Sequence, residues 1–309
     1  MRLRPRYFAT TFATAIFGMA AFAPLQAADK PTERLAYELM LGGLHVGDAM
    51  VTLEESGAGY KAGLKMTAGG ALKWVKDFRA SIESEGALGA APQPAIYRKQ
   101  WASGEFAETM TMTFDPVSHA ATTSSRVFNP LTGAAIADAD LPWHEKRADR
   151  KPVPDDLRKN VFDPMAAFIA AREQLIAQGV LSSPQGAVKS FRVPVYDGSR
   201  RYDIVGKTEL VRGVTINGVA RQVLPVTGRM EPVFGFSAKS EERMRAVDGK
   251  IFFSPDGKFI PVQVIVSGEL FTSVMNLAGD CREDNAPCAA IEGAFVLPAA
   301  TTEQRAQAP

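Results

Sequence analysis

Apolar and polar residues alternate singly along most of this chain, and a period of two fits one kind of regular structure: extended strands with one face buried. Leu35, Tyr37, Leu39 and Leu41 share a face against Arg34, Glu38 and Met40. The pattern continues in Ala49, Val51 and Leu53, then in Tyr60, Ala62, Leu64, Met66 and Ala68 against Lys61, Lys65 and Thr67. It recurs in Phe78, Ala80 and Ile82 against Arg79, Ser81 and Glu83, and in Phe106, Met110, Met112 and Phe114 against Thr109, Thr111 and Thr113. One polar face per strand is what antiparallel sheets covered on one side require. Turn chemistry pairs the neighbours. Gly42-Gly43 and Ser56 to Gly59 separate the first three strands, Asn217-Gly218 signals a tight type I′ hairpin, and Ser254 to Gly257 joins two later strands. The expected fold is mainly β: a long, strongly curved antiparallel sheet or partly closed barrel with one packed α-helix.

That helix is expected from Pro164 to Gln178. Asp163 serves as N-cap, Pro164 takes the first helical position and Gly179 stands just past the end. Met165, Phe168, Ile169 and Ile176 recur at helical spacing, so one face should cover a sheet or plug a barrel end, or else the helix only connects two halves. The segment from Gly133 to Asn160 breaks the strand pattern with Asp138, Asp140, His144, Glu145 and many basic residues, and reads as a mobile polar connector. One β-rich domain is expected over residues 28–297, with a disordered tail over 298–309.

The N-terminus carries an address. Arg2, Arg4 and Arg6 precede an uncharged apolar run from Tyr7 to Phe22, and small residues follow at Ala27 and Ala28. This is the pattern of a secretory signal peptide over residues 1–27. No cysteine lies near the cleavage position, so no lipid acceptor is available there. No later run approaches the ~20 apolar residues of a membrane-spanning helix. Export to the periplasm, without lipidation, is therefore expected. Loss of three arginines and no acid with the leader takes the formal charge from +1 to −2, which argues against nucleic acid as a partner. Cys281 and Cys288, the two cysteines of the chain, are expected to form a disulfide in that oxidising compartment.

Motifs for chemistry are scarce. The three histidines, His45, His119 and His144, show no ligand spacing, and no Gly-x-Ser-x-Gly, Ser-x-x-Lys, Gly-x-Gly-x-x-Gly or Walker pattern occurs. The cluster Asp138, Asp140, His144 and Glu145 matches no metal cage and reads as a solvated loop. No cofactor, metal or catalytic residue is expected. Carboxylate acid–base chemistry stays open, with Asp197, Asp203 and Asp256 as candidates, although Asp197-Gly198 and Asp256-Gly257 are also turn signals. Curved sheets of this size either fill with side chains or enclose a ligand. On strand parity, Tyr60, Leu64, Met66, Phe78, Met110, Met112 and Phe114 would line such an interior.

Three segments carry a resemblance to a known group: Leu35–Gly47 (LAYELMLGGLHVG), Phe191–Ile204 (FRVPVYDGSRRYDI) and Phe253–Ile265 (FSPDGKFIPVQVI). In these the chain resembles the exported bacterial proteins catalogued as domain of unknown function 3108. The resemblance implies a periplasmic, mostly antiparallel β fold and brings no catalytic residue. The expected role is non-enzymatic binding of an envelope component, a lipid-like ligand or a partner protein, in or on the curved sheet. An envelope hydrolase and a structural adaptor docking through the Asp138 to Lys151 loop are the alternatives.

Overall fold

The computed structural model describes residues 32–70, 78–89, 91–137, 140, 151–268 and 272–281, together with Cys288 and Ile291. The expected signal segment, the tail, and Asp138, His144 and Glu145 of the polar connector lie outside them. Seven strands form an antiparallel meander: β1 (Glu33–Leu41), β2 (Leu44–Ser56), β3 (Gly59–Ala68), β4 (Phe78–Ala87), β5 (Gln93–Ser103), β6 (Phe106–Phe114) and β7 (Ala121–Phe128). After helix α1 (Pro164–Ala177) come β8 (Ser190–Tyr196), β9 (Arg201–Thr208), β10 (Arg212–Ile216) and β11 (Val219–Phe234). A short helix α2 (Ala238–Arg245), β12 (Asp248–Phe253), β13 (Pro261–Ser267) and β14 (Thr272–Asp280) complete the order.

All fourteen strands belong to one nearly closed, barrel-like sheet. Its order is β7-β6-β5-β4-β3-β2-β1-β14-β13-β12-β11-β9-β8, with β10 on β11. The first and last strands meet in the middle, since β1 pairs with both β2 and β14. Each half of the chain therefore meanders outward to its own edge, one at β7 and the other at β8. Local turn chemistry sets the hairpins as the sequence predicts: Gly42 and Gly43 have φ of 55° and 84°, and Asn217 and Gly218 have 49° and 76°. Both central positions are left-handed, as type I′ turns demand.

The two edges come together through the chain between them. Lys159 bridges Ala120 beside β7, and Phe162 bridges Val195 of β8. The turn at Gly198 also approaches β6 and β7. A side chain there would collide with Met110 Sδ, and the left-handed φ of 93° suits glycine as well. Residues 151–160 thus correct the expectation of a mobile polar connector. Val153 is buried, Leu157 packs on the core cluster of Tyr97, Met110, Met112 and Tyr196, and Asp155–Arg158 form a 3-10 turn. Two apolar residues among many charges supplied enough burial to fix that part of the chain.

Helix α1 starts where expected, with Asp163 accepting hydrogen bonds from the Met165 and Ala166 N–H groups, both at 2.9 Å. Its buried residues, Ala166, Ala167, Ile169, Ala170, Arg172 and Leu175, surround the axis instead of forming one stripe. A helix buried on all sides must be enclosed. Ala166 and Ile169 meet Leu53, Tyr60 and Ala62 of β2 and β3, whereas Ala167 and Ala170 meet Val193, Val195 and Tyr202 of β8 and β9. Leu175 and Phe168 reach Leu224, Val226 and Phe253. The alanines allow this close approach from several directions. Ile176, assigned to the apolar face on spacing, is instead 43% exposed, although its neighbour Leu175 is buried.

The helix also covers the free edge of β8. Gln178 and Gln174 side chains donate to the carbonyls of Ser190 and Arg192 at 3.0 and 3.3 Å, and the Phe162 N–H donates to that of Pro194 at 2.9 Å. Pro194 has no N–H to leave unpaired on this edge. The β8 edge is closed to further strands.

Cys281 and Cys288 form the expected disulfide. Cys288 and Ile291 bury themselves with Ala36 and Met50, on the sheet face opposite the helix. The cross-link therefore fastens late chain onto β1 and β2 as well as closing its own loop. Replacing both cysteines with serine is expected to lower the unfolding free energy by about 2.5 kcal/mol, the loop entropy for so short a closure. Chemical denaturation with and without reductant measures it, and identical curves would remove any stabilising role.

Candidate binding site

All seven residues predicted to line an interior lie on the face that packs against α1 and the 151–163 segment. They do not converge. Tyr60 is consumed by packing on Ala166 and Ile169. Met110 and Met112, with Phe114 against them, fill the cluster around Tyr97, Val153 and Tyr196. Leu64 and Met66 are half-buried beside Leu35, Tyr37 and Ala49, and Phe78 is half-buried at the start of β4. Helix α1 thus occupies one end of the inner face.

A polar set lies within this core. Tyr60 OH and Ser84 Oγ are 3.2 Å apart, and Ser84 Oγ donates to Asp163 Oδ2 at 2.8 Å. Ser84 and Asp163 are fully buried. Desolvation pushes the Asp163 carboxyl up to about 6, against the lowering pull of its hydrogen bonds to Ala166, Ser84 and Met165. Burial also raises the hydroxyls of Tyr60, Tyr97 and Tyr202, and the Asp163 charge adds to the rise in each. No substrate can reach groups so enclosed, so this set holds α1 to β3 and β4.

The carboxylates considered for acid–base chemistry are engaged. Asp197 caps its turn through the Ser199 and Arg200 N–H groups and pairs with the Arg200 guanidinium at 2.7 Å. Asp256 accepts from Ser254 Oγ and the Lys258 N–H. Asp203 is held by Arg192 and Arg201, each at 2.5 Å. Among the described residues, no group of three or more His, Cys, Asp or Glu side chains gathers to hold a metal.

A groove of about 1,060 Å³ runs across β8, β9, β11, β12 and β13. Strand register builds it. Lys207, Thr227, Lys250 and Ile265 form one cross-strand row, and Val205, Arg229, Asp248 and Ser267 the next. These residues have the opposite parity to Tyr202, Val226 and Ile251, which face the core, so the row lies on the outer face. Arg192 spans Asp203 and Glu231 at 2.5 and 2.6 Å, and Arg229 adds a second contact to Glu231 at 2.7 Å. Hydrogen bonds from Arg229 and Arg192 hold the Glu231 carboxyl below its ordinary range. Lys250 pairs with Glu209 at 2.9 Å and lowers that carboxyl likewise. Lys207 is exposed and makes no direct ion pair with the described residues, and its charge adds to the lowering of the Glu209 carboxyl. The lining carries Arg192, Lys207, Arg229 and Lys250 with Glu231 and Asp248, and Asp203 and Glu209 beside it pair with Arg192 and Lys250.

A match to the family described as "Protein of unknown function (DUF3108)" spans residues 36–267. The chain belongs to the DUF3108 family. No curated protein matches the sequence. Among solved structures, the chain is similar to a beta-barrel-like protein of domain of unknown function DUF1849 from Brucella abortus, at 12% identity and a TM-score of 0.48. That likeness covers 80% of this chain and 95% of the other.

The DUF3108 match runs from β1 to the end of β13, so it contains every strand of the groove and stops short of the disulfide. The groove was missed in the sequence because its residues read as ordinary solvent-facing positions of separate strands. Lys207, Arg229 and Lys250 lie far apart along the chain. Only cross-strand register sets them side by side. The signal available in sequence was the charged alternation of Thr227, Arg229 and Glu231 with Asp248 and Lys250, without a means of aligning the two.

Proposed function

We propose that this DUF3108 protein is a non-enzymatic binding protein of the cell envelope, holding a polar, anionic envelope component against the outer face of its curved sheet. The observation that carries this reading is the groove across five strands, lined by four cationic side chains of which Lys207 makes no direct ion pair with the described residues. Its size suits a segment of a larger molecule. The charged lining favours a polar headgroup or polymer over an acyl chain, which narrows the lipid-like alternative to the charged part of such a molecule. The basic, apolar N-terminal segment and the Cys281–Cys288 cross-link both support an extracytoplasmic, oxidising location.

Titration calorimetry with lipopolysaccharide, soluble peptidoglycan fragments and phosphatidylglycerol vesicles tests the reading. At least one anionic probe is expected to bind, with affinity falling as salt rises. Reversing charge at Lys207→Glu and Lys250→Glu together should weaken it more than about tenfold, a loss of about 1.4 kcal/mol. Binding that survives both reversals would place the ligand elsewhere, and absence of binding by all three probes would reject the proposal.

A further inference from the structure

Glu209 stands just past the end of β9, and its neighbours fix it there. Thr208 is buried, with its Oγ1 donating to Ala187 O at 2.5 Å and accepting from the Lys189 N–H at 2.8 Å. The Glu209 N–H donates to Pro225 O at 2.8 Å, so the β9–β11 ladder runs one residue beyond the strand. The Glu209 carboxylate meets Lys250 Nζ of β12 at 2.9 Å and the Arg212 guanidinium, at the start of β10, at 3.6 Å. Lys207 precedes it by two residues and shares a cross-strand row with Thr227 and Lys250. The hydrogen bond from Lys250 and the charges of Lys250, Arg212 and Lys207 hold the Glu209 carboxyl below its ordinary range.

Charge is distributed unevenly along the groove. In the rows beyond Lys207 and Lys250, Arg192, Arg201 and Arg229 stand with Asp203, Glu231 and Asp248, and the two signs balance. At the Glu209 end three cations from three strands share one carboxylate. Glu209 pairs with Lys250 and Arg212, and Lys207 makes no direct ion pair with the described residues. A phosphomonoester complements this end. It carries a charge of about −1.5 to −2 at neutral pH and three acceptor oxygens, whereas a carboxylate or a phosphodiester carries a single charge. The groove, at about 1,060 Å³, is far larger than a free phosphate, so the group belongs to a larger molecule.

We propose that Lys207, Arg212 and Lys250 form the subsite for a phosphomonoester on the groove's ligand, with the Glu209 carboxylate as an internal anion that competes for the same cations. This deepens the binding reading above and rests on it. Glu209 gives the subsite its selectivity: a singly charged group offers the cations no more than Glu209 already does, and a doubly charged one offers more.

Binding at pH 7.5 and one fixed salt concentration supplies the test, with two matched pairs of probes. Phosphatidic acid vesicles are compared with phosphatidylglycerol vesicles of the same mole fraction, and glucose 1-phosphate with glucuronate. In at least one pair the phosphomonoester is expected to bind about fivefold tighter or more, and the pair that shows it tells a lipid-borne phosphate from a sugar-borne one. Glu209→Gln should tighten that phosphomonoester about three- to fivefold, and Lys207→Gln should weaken it by a similar factor, as for one charge contact at a partly exposed site. Lys207 is exposed and outside any direct ion pair with the described residues, so its replacement should leave the fold intact. Glu105→Gln makes the same change in net charge at the exposed β5–β6 turn and should leave affinity unchanged. The subsite is overturned by equal binding within both pairs, by unchanged or weaker binding in a folded Glu209→Gln variant, by unchanged binding in Lys207→Gln, or by equal tightening in Glu105→Gln. If any of these results comes while lipopolysaccharide, peptidoglycan fragments or phosphatidylglycerol still bind, the groove reading survives without the subsite; absence of binding by every probe rejects both.

Discussion

Glu55→Gln is expected to lower the unfolding free energy by about 3 kcal/mol, the low end of the ~3–5 kcal/mol typical when one partner of a buried ion pair is removed. Glu55 is the penultimate residue of β2 and Arg172 lies in α1, and their side chains are 7% and 6% exposed. The Arg172 guanidinium donates directly to Glu55 Oε1. Taking the carboxylate's charge away leaves a guanidinium desolvated inside the barrel. Glu173, 3.1 Å from Arg172 and partly exposed, supplies residual compensation and keeps the loss from reaching the top of the range. The double replacement Glu55→Leu with Arg172→Met should recover most of the stability, because apolar side chains of similar volume carry no desolvation cost. Urea denaturation of wild type, both single variants and the double variant measures the coupling. A loss below about 1 kcal/mol for Glu55→Gln would mean that water reaches the pair and screens it as at a surface.

This ion pair marks the boundary of what the sequence discloses. Strand identity was legible because period-two alternation acts within a few residues, and the helix was legible because Asp163, Pro164 and Gly179 are local signals. The enclosure of that helix was not. Ala166, Ala167 and Ala170 carry almost no amphipathic signal, and their value lies in letting strands from both halves of the sheet approach. The Glu55–Arg172 and Ser84–Asp163 contacts join residues 117 and 79 positions apart. Nothing in either local pattern announces the partner. The candidate lining showed the same limit from the other side. Parity assigned Tyr60, Met110 and Met112 to the inner face, but not the Val153 and Ile169 side chains that occupy the space beside them. The groove is a property of register, which exists only once distant strands are aligned.

Asp163 gives the second large effect, and its sign follows from burial. The carboxyl rises from its ordinary 3.8 to about 6 in the folded chain, chiefly by desolvation. A group whose folded value lies above its unfolded value binds its proton more tightly in the native state. Folding is then relatively favoured while Asp163 is protonated, below about pH 4. As pH climbs from about 3 to about 7 the unfolded carboxyl ionises freely while the buried one resists, and stability falls by about 3 kcal/mol from this residue. Above about pH 7 the loss is complete and constant. Asp163→Asn keeps a side-chain oxygen for the Met165 and Ala166 N–H groups and can still hydrogen-bond Ser84, but it cannot ionise. The variant's stability relative to wild type should therefore rise by about 3 kcal/mol between pH 3 and pH 7, about 2 kcal/mol of it between pH 4 and pH 6, then stay level to pH 8. Urea midpoints taken at half-unit pH steps on both proteins resolve this difference curve, in which the titrations common to both proteins cancel. A flat difference would show that the helix N-terminus and the Ser84 hydroxyl compensate the buried charge in full, and a difference falling with pH would show that they overcompensate it.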